Sequence, residues 1–165
     1  MNESLDRLKA ELEQFGADHD AATAERAHRM FNVTRDTGEL LAVLVRATAA
    51  RRVLEVGTSN GYSTLWLAEA ARDTGGAVVT VESAPHKLSL AKLNFERSGL
   101  PGITLVPDDA GRFLQQADPC AFDLVFLDAG KLDYARHYEL ALAKTKSGGF
   151  LLADNVLWDG KVAGG

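Results

Sequence analysis

The chain has 165 residues, 46% hydrophobic and 25% charged, with 18 Lys/Arg against 23 Asp/Glu and a net charge of −5. That is enough for one domain with a sizeable core, and with no basic run to offset the acids it argues against nucleic acid as a partner. Leu40 to Val45, the longest purely apolar run, is too short to span a membrane, the N-terminus lacks an apolar secretory segment, and Cys120 is the single cysteine; the expectation is a cytoplasmic, reduced protein.

Leu5, Leu8, Leu12 and Phe15 recur at three- and four-residue steps and predict an amphipathic helix that Gly16 would stop. The alanine-rich segment from Asp18 to Met30 reads as a second helix, and Thr37 as the cap of a third through ELLAVLVRATAA. From Arg52 onward short apolar strands alternate with helices. The strands are RVLEV, AVVTVE, ITLVP, FDLVFLD and GFLLAD, rich in Val, Leu, Ile and Phe without clean alternation, as expected when both faces are buried. The helices are YSTLWLAEAARD, APHKLSLAKLNFERSG, AGRFLQQAD and LDYARHYELALAKTKSGG, punctuated by Pro85 and by glycines after Ser98 and Ser147. The fold class is α/β: a Rossmann-like, doubly wound parallel sheet with N-terminal helices. The boundaries are a helical extension over 1–50, an α/β core over 51–155 and a tail over 156–165, all in one domain.

In an open parallel sheet, ligands bind beyond the carboxyl ends of the strands. All five strands finish in or beside an acid: Glu55, Glu82, Asp108 with Asp109, Asp128 and Asp154. Such a rim needs cationic or hydrogen-bonding company, which favours a ligand site. The GTSNG loop lacks the G-x-G-x-x-G spacing of a dinucleotide fold, and Glu55 suits a ligand with a cationic group better than a diphosphate. Gly57 and Gly61 making only a tight turn, with Glu55 bonded to backbone, is the plainer reading. Glu82 is placed to accept from both hydroxyls of a ribose; as a cap for the next helix, Ser83 or Ala84 would sit better. Asp109 before AGRFLQQ is a good N-cap that can also border an adenine. Asp128, Asp154 and Asn155 bring hard oxygen donors to adjacent strand ends, which suits Mg²⁺, Ca²⁺ or Mn²⁺; capping and a turn are the alternatives. Lys131 near a dication would lose its proton more easily and could act as a base; a solvated lysine at a helix start is the alternative. His137 reads as exposed on a helical turn, and Tyr134 and Trp158 read equally as an aromatic pocket or as packing.

VLEVGTSNGYS, TVES, PDDA, FLDAGKLDY and LLADNVLWDGKV, in that order from Phe31 to Val162, resemble the cation-dependent O-methyltransferases, the catechol and caffeoyl-CoA group. The resemblance implies S-adenosylmethionine as methyl donor, a divalent cation (Mg²⁺ first), a hydroxylated aromatic acceptor with two neighbouring oxygens, and a homodimer. It implies that Val33, Glu55, Gly57, Thr58 and Ser63 surround the methionine end of the methyl donor. Glu82 would hold the ribose, Asp109 and Ala110 would lie along the adenine, and Asp128 would serve both methyl donor and metal. Asp128, Asp154 and Asn155 would hold the metal, with Lys131 and Asp128 as the catalytic pair. The chain departs from the family's D-A-D-K at Gly130, and Asp159 stands where plant relatives often carry Asn. The family's terminal antiparallel hairpin is not found, so the edge of GFLLAD is expected to meet a partner strand along Phe150 to Ala153, or the segment after Asn155 to be disordered. Two rival readings are a silent S-adenosylmethionine-binding module and a nicotinamide-dependent enzyme.

Overall fold

The computed structural model describes residues 3–128 and 134–154. The chain order is α1 (Glu3–Ala22), a 3-10 turn (Arg26–His28), α2 (Arg35–Ala47), β1 (Arg52–Val56), α3 (Tyr62–Asp73), β2 (Ala77–Glu82) and α4 (Pro85–Ser98). It continues with β3 (Ile103–Pro107), α5 (Ala110–Gln116), β4 (Phe122–Leu127), α6 (Tyr134–Lys144) and β5 (Thr145–Ala153). The strands form one parallel sheet in the order β3-β2-β1-β4-β5. The order reverses between β1 and β4, which opens a crevice at their carboxyl ends.

Successive side chains of a strand face opposite ways, so the sheet has two cores. Val53, Val78 and Leu124 pack against Leu5, Leu8 and Leu12 of α1, Leu41 and Val45 of α2, and Leu65 of α3. Leu54, Val56, Val125 and Leu127 pack on the other face with Leu114 of α5 and Ala141 of α6. Burying each such aliphatic side chain stabilises the fold by about 1.5–3 kcal/mol. Being covered on both sides is what gives these strands their unbroken apolar runs.

Four local expectations need correction. The first helix does not stop at Gly16 but runs to Ala22, and Asp18–Met30 supplies its last turn and the 3-10 turn rather than a separate helix. Gly16 is small because Asn32 lies against it: an added Cβ would collide with the Asn32 amide, which donates to Leu12 O at 2.9 Å. Thr34, not Thr37, caps α2, its hydroxyl accepting from Thr37 N at 3.2 Å. The last helix ends at Lys144, and the next residues already pair in β5, with Thr145 opposite Phe122 and Lys146 Nζ on Asp123 Oδ1 at 2.6 Å. Gly148, at φ 79°, belongs to that strand.

Candidate active site

The strand registers set the rim. Val56 lies opposite both Val81 and Leu127, so Gly57 emerges between Glu82 and Asp128. Leu127 lies opposite Ala153, which places Asp128 and Asp154 side by side. Backbone bonds continue each ladder one step further: Gly57 N to Val81 O at 3.0 Å, Asp128 N to Val56 O at 2.9 Å and Asp154 N to Leu127 O at 3.1 Å.

These ends open into a cavity of about 1110 Å³. Ligand sites for one small molecule commonly run about 300–1,000 Å³, so this cavity lies at the upper end of that range. The N-terminal segment contributes Val33 to its wall, the loop after β1 contributes Gly57 and Thr58, and the first turn of α3 contributes Ser63. Glu82 comes from β2, Asp109 and Ala110 from the β3–α5 turn, and Asp128 and Asp154 from β4 and β5. Lys131, Asn155 and Trp158 lie outside the described residues.

Glu55 is not on that wall. It shares the face of Val53 and is fully buried behind the loop, where α3 presents its first turn. Ser63 Oγ donates to its Oε1 at 2.6 Å, Thr80 Oγ1 to Oε2 at 2.5 Å, and Thr64 Oγ1 also to Oε2. The Thr58 hydroxyl lies 2.6 Å from Thr80 Oγ1 and extends this buried chain of hydroxyls. Among the described residues, the hydrogen-bond partners of this buried acid are therefore three hydroxyls and no cation. Burial pushes the Glu55 carboxyl up to about 7; the three hydroxyls pull it down and the Asp128 charge adds to the rise.

Glu82 is held by backbone. Oε2 accepts from Ser59 N at 3.0 Å, and Oε1 accepts from Ser83 N and Ala84 N, each at 2.9 Å. Ala84 stands at the N-cap position of α4, as read, without a side-chain cap, and the Glu82 carboxylate accepts from the two N–H groups just before the helix. A carboxylate offers about four acceptor positions, so this anchored one can still accept from a ligand. Asp109 does cap α5, accepting from Arg112 N at 2.9 Å, while Arg112 holds the Asp108 carboxyl below its ordinary range.

At the β4–β5 corner the Tyr134 hydroxyl is 3.3 Å from Leu127 O and 3.1 Å from Asp154 O, and the ring packs on the second core. Burial, with the Asp128 and Asp154 charges, pushes this phenol up to about 12. Asp128 and Asp154 put two hard-oxygen donors on one cavity wall, the donor type a hard divalent cation takes, although among the described residues no group of three acidic, His or Cys side chains is placed to hold a metal ion. His137, expected to be exposed, is only 7% exposed and lines the cavity beside Gly111. Ser59 and Met30 also line it and were not singled out from sequence; the Met30 carbonyl accepts from Ser59 Oγ at 2.7 Å.

A five-stranded parallel sheet with its reversal beside β1 and acids at its strand ends is a Rossmann-like α/β fold, with a ligand crevice at the carboxyl ends of β1 and β4. The model of the family described as O-methyltransferase matches residues 7–165. A catechol O-methyltransferase of Niastella koreensis is 31% identical across 97% of this chain and 76% of its own length. Another catechol O-methyltransferase, from Mycobacterium tuberculosis, is 34% identical across 79% of this chain and 59% of its own length. The crystal structure of an O-methyltransferase from Bacillus cereus in complex with S-adenosylhomocysteine (SAH) superposes with a TM-score of 0.80 at 32% identity, covering 94% of this chain and 69% of that one. The chain belongs to the O-methyltransferase family, whose enzymes are S-adenosylmethionine-dependent. Among the described residues no helix is long and apolar enough to cross a membrane.

Proposed function

We propose that the chain transfers a methyl group from S-adenosylmethionine to a hydroxyl of a small phenolic acceptor bearing two neighbouring oxygens, aided by a divalent cation. The observation that carries this reading is the meeting of Glu82, Asp128 and Asp154 on the wall of one cavity. Glu82, fixed by three N–H groups, would receive the ribose hydroxyls. Asp109 and Ala110 would border the adenine, and Val33, Gly57, Thr58 and Ser63 would enclose the methionine end. Glu55 would act behind that wall through Ser63, which stands in the first turn of α3, where an anion is favoured.

Asp128 and Asp154, with Asn155, would hold the cation. When bound, the cation would supply positive charge that acidifies a neighbouring acceptor hydroxyl. Lys131 would take the hydroxyl proton on a neutral Nζ. The freed oxygen attacks the sulfonium methyl in line as the carbon–sulfur bond breaks, leaving neutral SAH. Holding the two reactants in one cavity supplies much of the rate. We further propose a single-domain, cytoplasmic homodimer, in keeping with the composition and the family resemblance.

The test is methyl transfer to a panel of vicinal-diol phenolics with and without Mg²⁺, beside calorimetric titration with SAH. Glu82→Gln should weaken SAH binding by about 1–3 kcal/mol. Lys131→Ala should lower the maximal rate by about 10²–10⁴-fold with little change in SAH affinity. A protein that binds NAD and not SAH would overturn the reading.

A further inference from the structure

Asp20 lies in the last turns of α1, away from the cavity wall, and both of its oxygens are engaged. Oδ1 accepts from Met30 N at 2.6 Å and Oδ2 from Phe31 N at 2.8 Å. Burial raises the Asp20 carboxyl, but these two N–H groups, joined by His19, outweigh it and hold it below its ordinary range. Phe31 has φ 51°, a left-handed backbone that a bulky side chain rarely adopts. Such a conformation persists only where its surroundings over-determine it, and the paired charge-assisted bonds that Met30 N and Phe31 N donate to Asp20 do so here.

The consequence reaches the site. The turn held by Asp20 presents the Met30 carbonyl to Ser59 Oγ at 2.7 Å. Ser59 is itself left-handed, at φ 50°, and directs its N–H onto Glu82 Oε2 at 3.0 Å. Two strained residues on separate segments are thus joined at one carbonyl, and a continuous path runs from Asp20 through Met30 and Ser59 to Glu82. Met30, Phe31, Ser59 and Glu82 all line the cavity, whereas Asp20 does not.

We propose that Asp20 is a positioning residue for the methyl donor: by fixing the Met30–Phe31 turn it sets Ser59, and through Ser59 the orientation of the Glu82 carboxylate. The proposal rests on the assignment of this cavity to the methyl donor. It makes the N-terminal helix part of the cofactor machinery rather than a cover for the sheet.

The experiment is calorimetric titration of the full chain with SAH for wild type, Asp20→Asn, Ser59→Ala, Glu82→Gln and the two double variants with Glu82→Gln, with thermal unfolding of each in parallel. Asp20→Asn keeps the shape but turns an amide toward an N–H group. Asp20→Asn and Ser59→Ala should each weaken SAH binding about tenfold, and each should cost less than about twofold once Glu82 is already Gln. A purely structural Asp20 would lower the melting temperature and add its effect unchanged in both backgrounds, which would overturn the proposal. So would wild-type affinity in Asp20→Asn. Should that variant not fold, the Ser59→Ala arm reads the same coupling and decides the matter. If Glu82→Gln itself binds SAH as wild type does, the assignment of the cavity falls and this proposal with it. If Glu82→Gln is weakened while Asp20→Asn is not, only the role of Asp20 falls.

Discussion

Ser63 Oγ donates to Glu55 Oε1 at 2.6 Å, so a hydroxyl of the cavity wall is bound to an acid that the cavity does not reach. The sequence motif places these two residues close together, yet only one of them stands where a ligand could touch it. Glu55 orients the first turn of α3 from behind.

That burial has a pH signature. The Glu55 carboxyl has an ordinary value of 4.5 and stands at about 7 in the fold. A raised folded value means that the stabilising contribution is fully present below pH 4.5 and is lost as pH rises through about 7. At about 1.4 kcal/mol per unit, the loss is about 3 kcal/mol. Urea unfolding of the ligand-free protein at pH 5 and pH 8 should show this decline, and Glu55→Gln should flatten it. An identical pH dependence in the variant would mean that Glu55 is ionised throughout.

The β4–β5 corner and the methyl-donor side are expected to separate cleanly. Asp154→Ala should abolish the Mg²⁺-dependent part of turnover while SAH affinity stays within about twofold, because Glu82 and the loop after β1 remain in place. Retention of a full Mg²⁺ response in Asp154→Ala would remove Asp154 from the metal set.

Away from the cavity, Lys9 of α1 is 1% exposed, with Nζ 2.5 Å from Glu69 Oε2 and 3.7 Å from the centre of the Trp66 ring. Removing one partner of a buried pair leaves the other charge uncompensated. Lys9→Ala should therefore cost about 3–5 kcal/mol in urea unfolding, whereas replacing both residues together, as Lys9→Met with Glu69→Leu, should cost far less. Equal losses would show that the charged pair itself supplies the stability, beyond what apolar packing of similar volume provides.

Much of the fold was legible in the sequence because its signals are local. Strands buried on both faces write continuous runs such as FDLVFL, and Pro85 and Gly99 mark the ends of α4 as read. Some misreadings come from contact between residues far apart in the chain, whereas the cap of α2 was misplaced within a single turn. Gly16 is small because of Asn32, and nothing near Gly16 announces that. His137 shares the buried face of α6 with Ala141 and Lys144, so polar side chains occupied the positions from which burial would be inferred. In the site, the acids at strand ends could be read because topology brings strand ends together. The left-handed backbones of Phe31 and Ser59, and the reach of Asp20 to them, leave no periodic trace.

The place of β1 in the strand order has one more consequence. Glu82 and Asp109 stand on one side of it and Asp128 and Asp154 on the other, so the two halves of the cavity have a single strand in common. On the site assignment proposed above, such a division would let evolution rewrite what is methylated without rewriting what supplies the methyl group. A chimera that keeps residues 1–121 and takes everything after them from another member of the family should hold SAH as before and inherit the acceptor range of its new half.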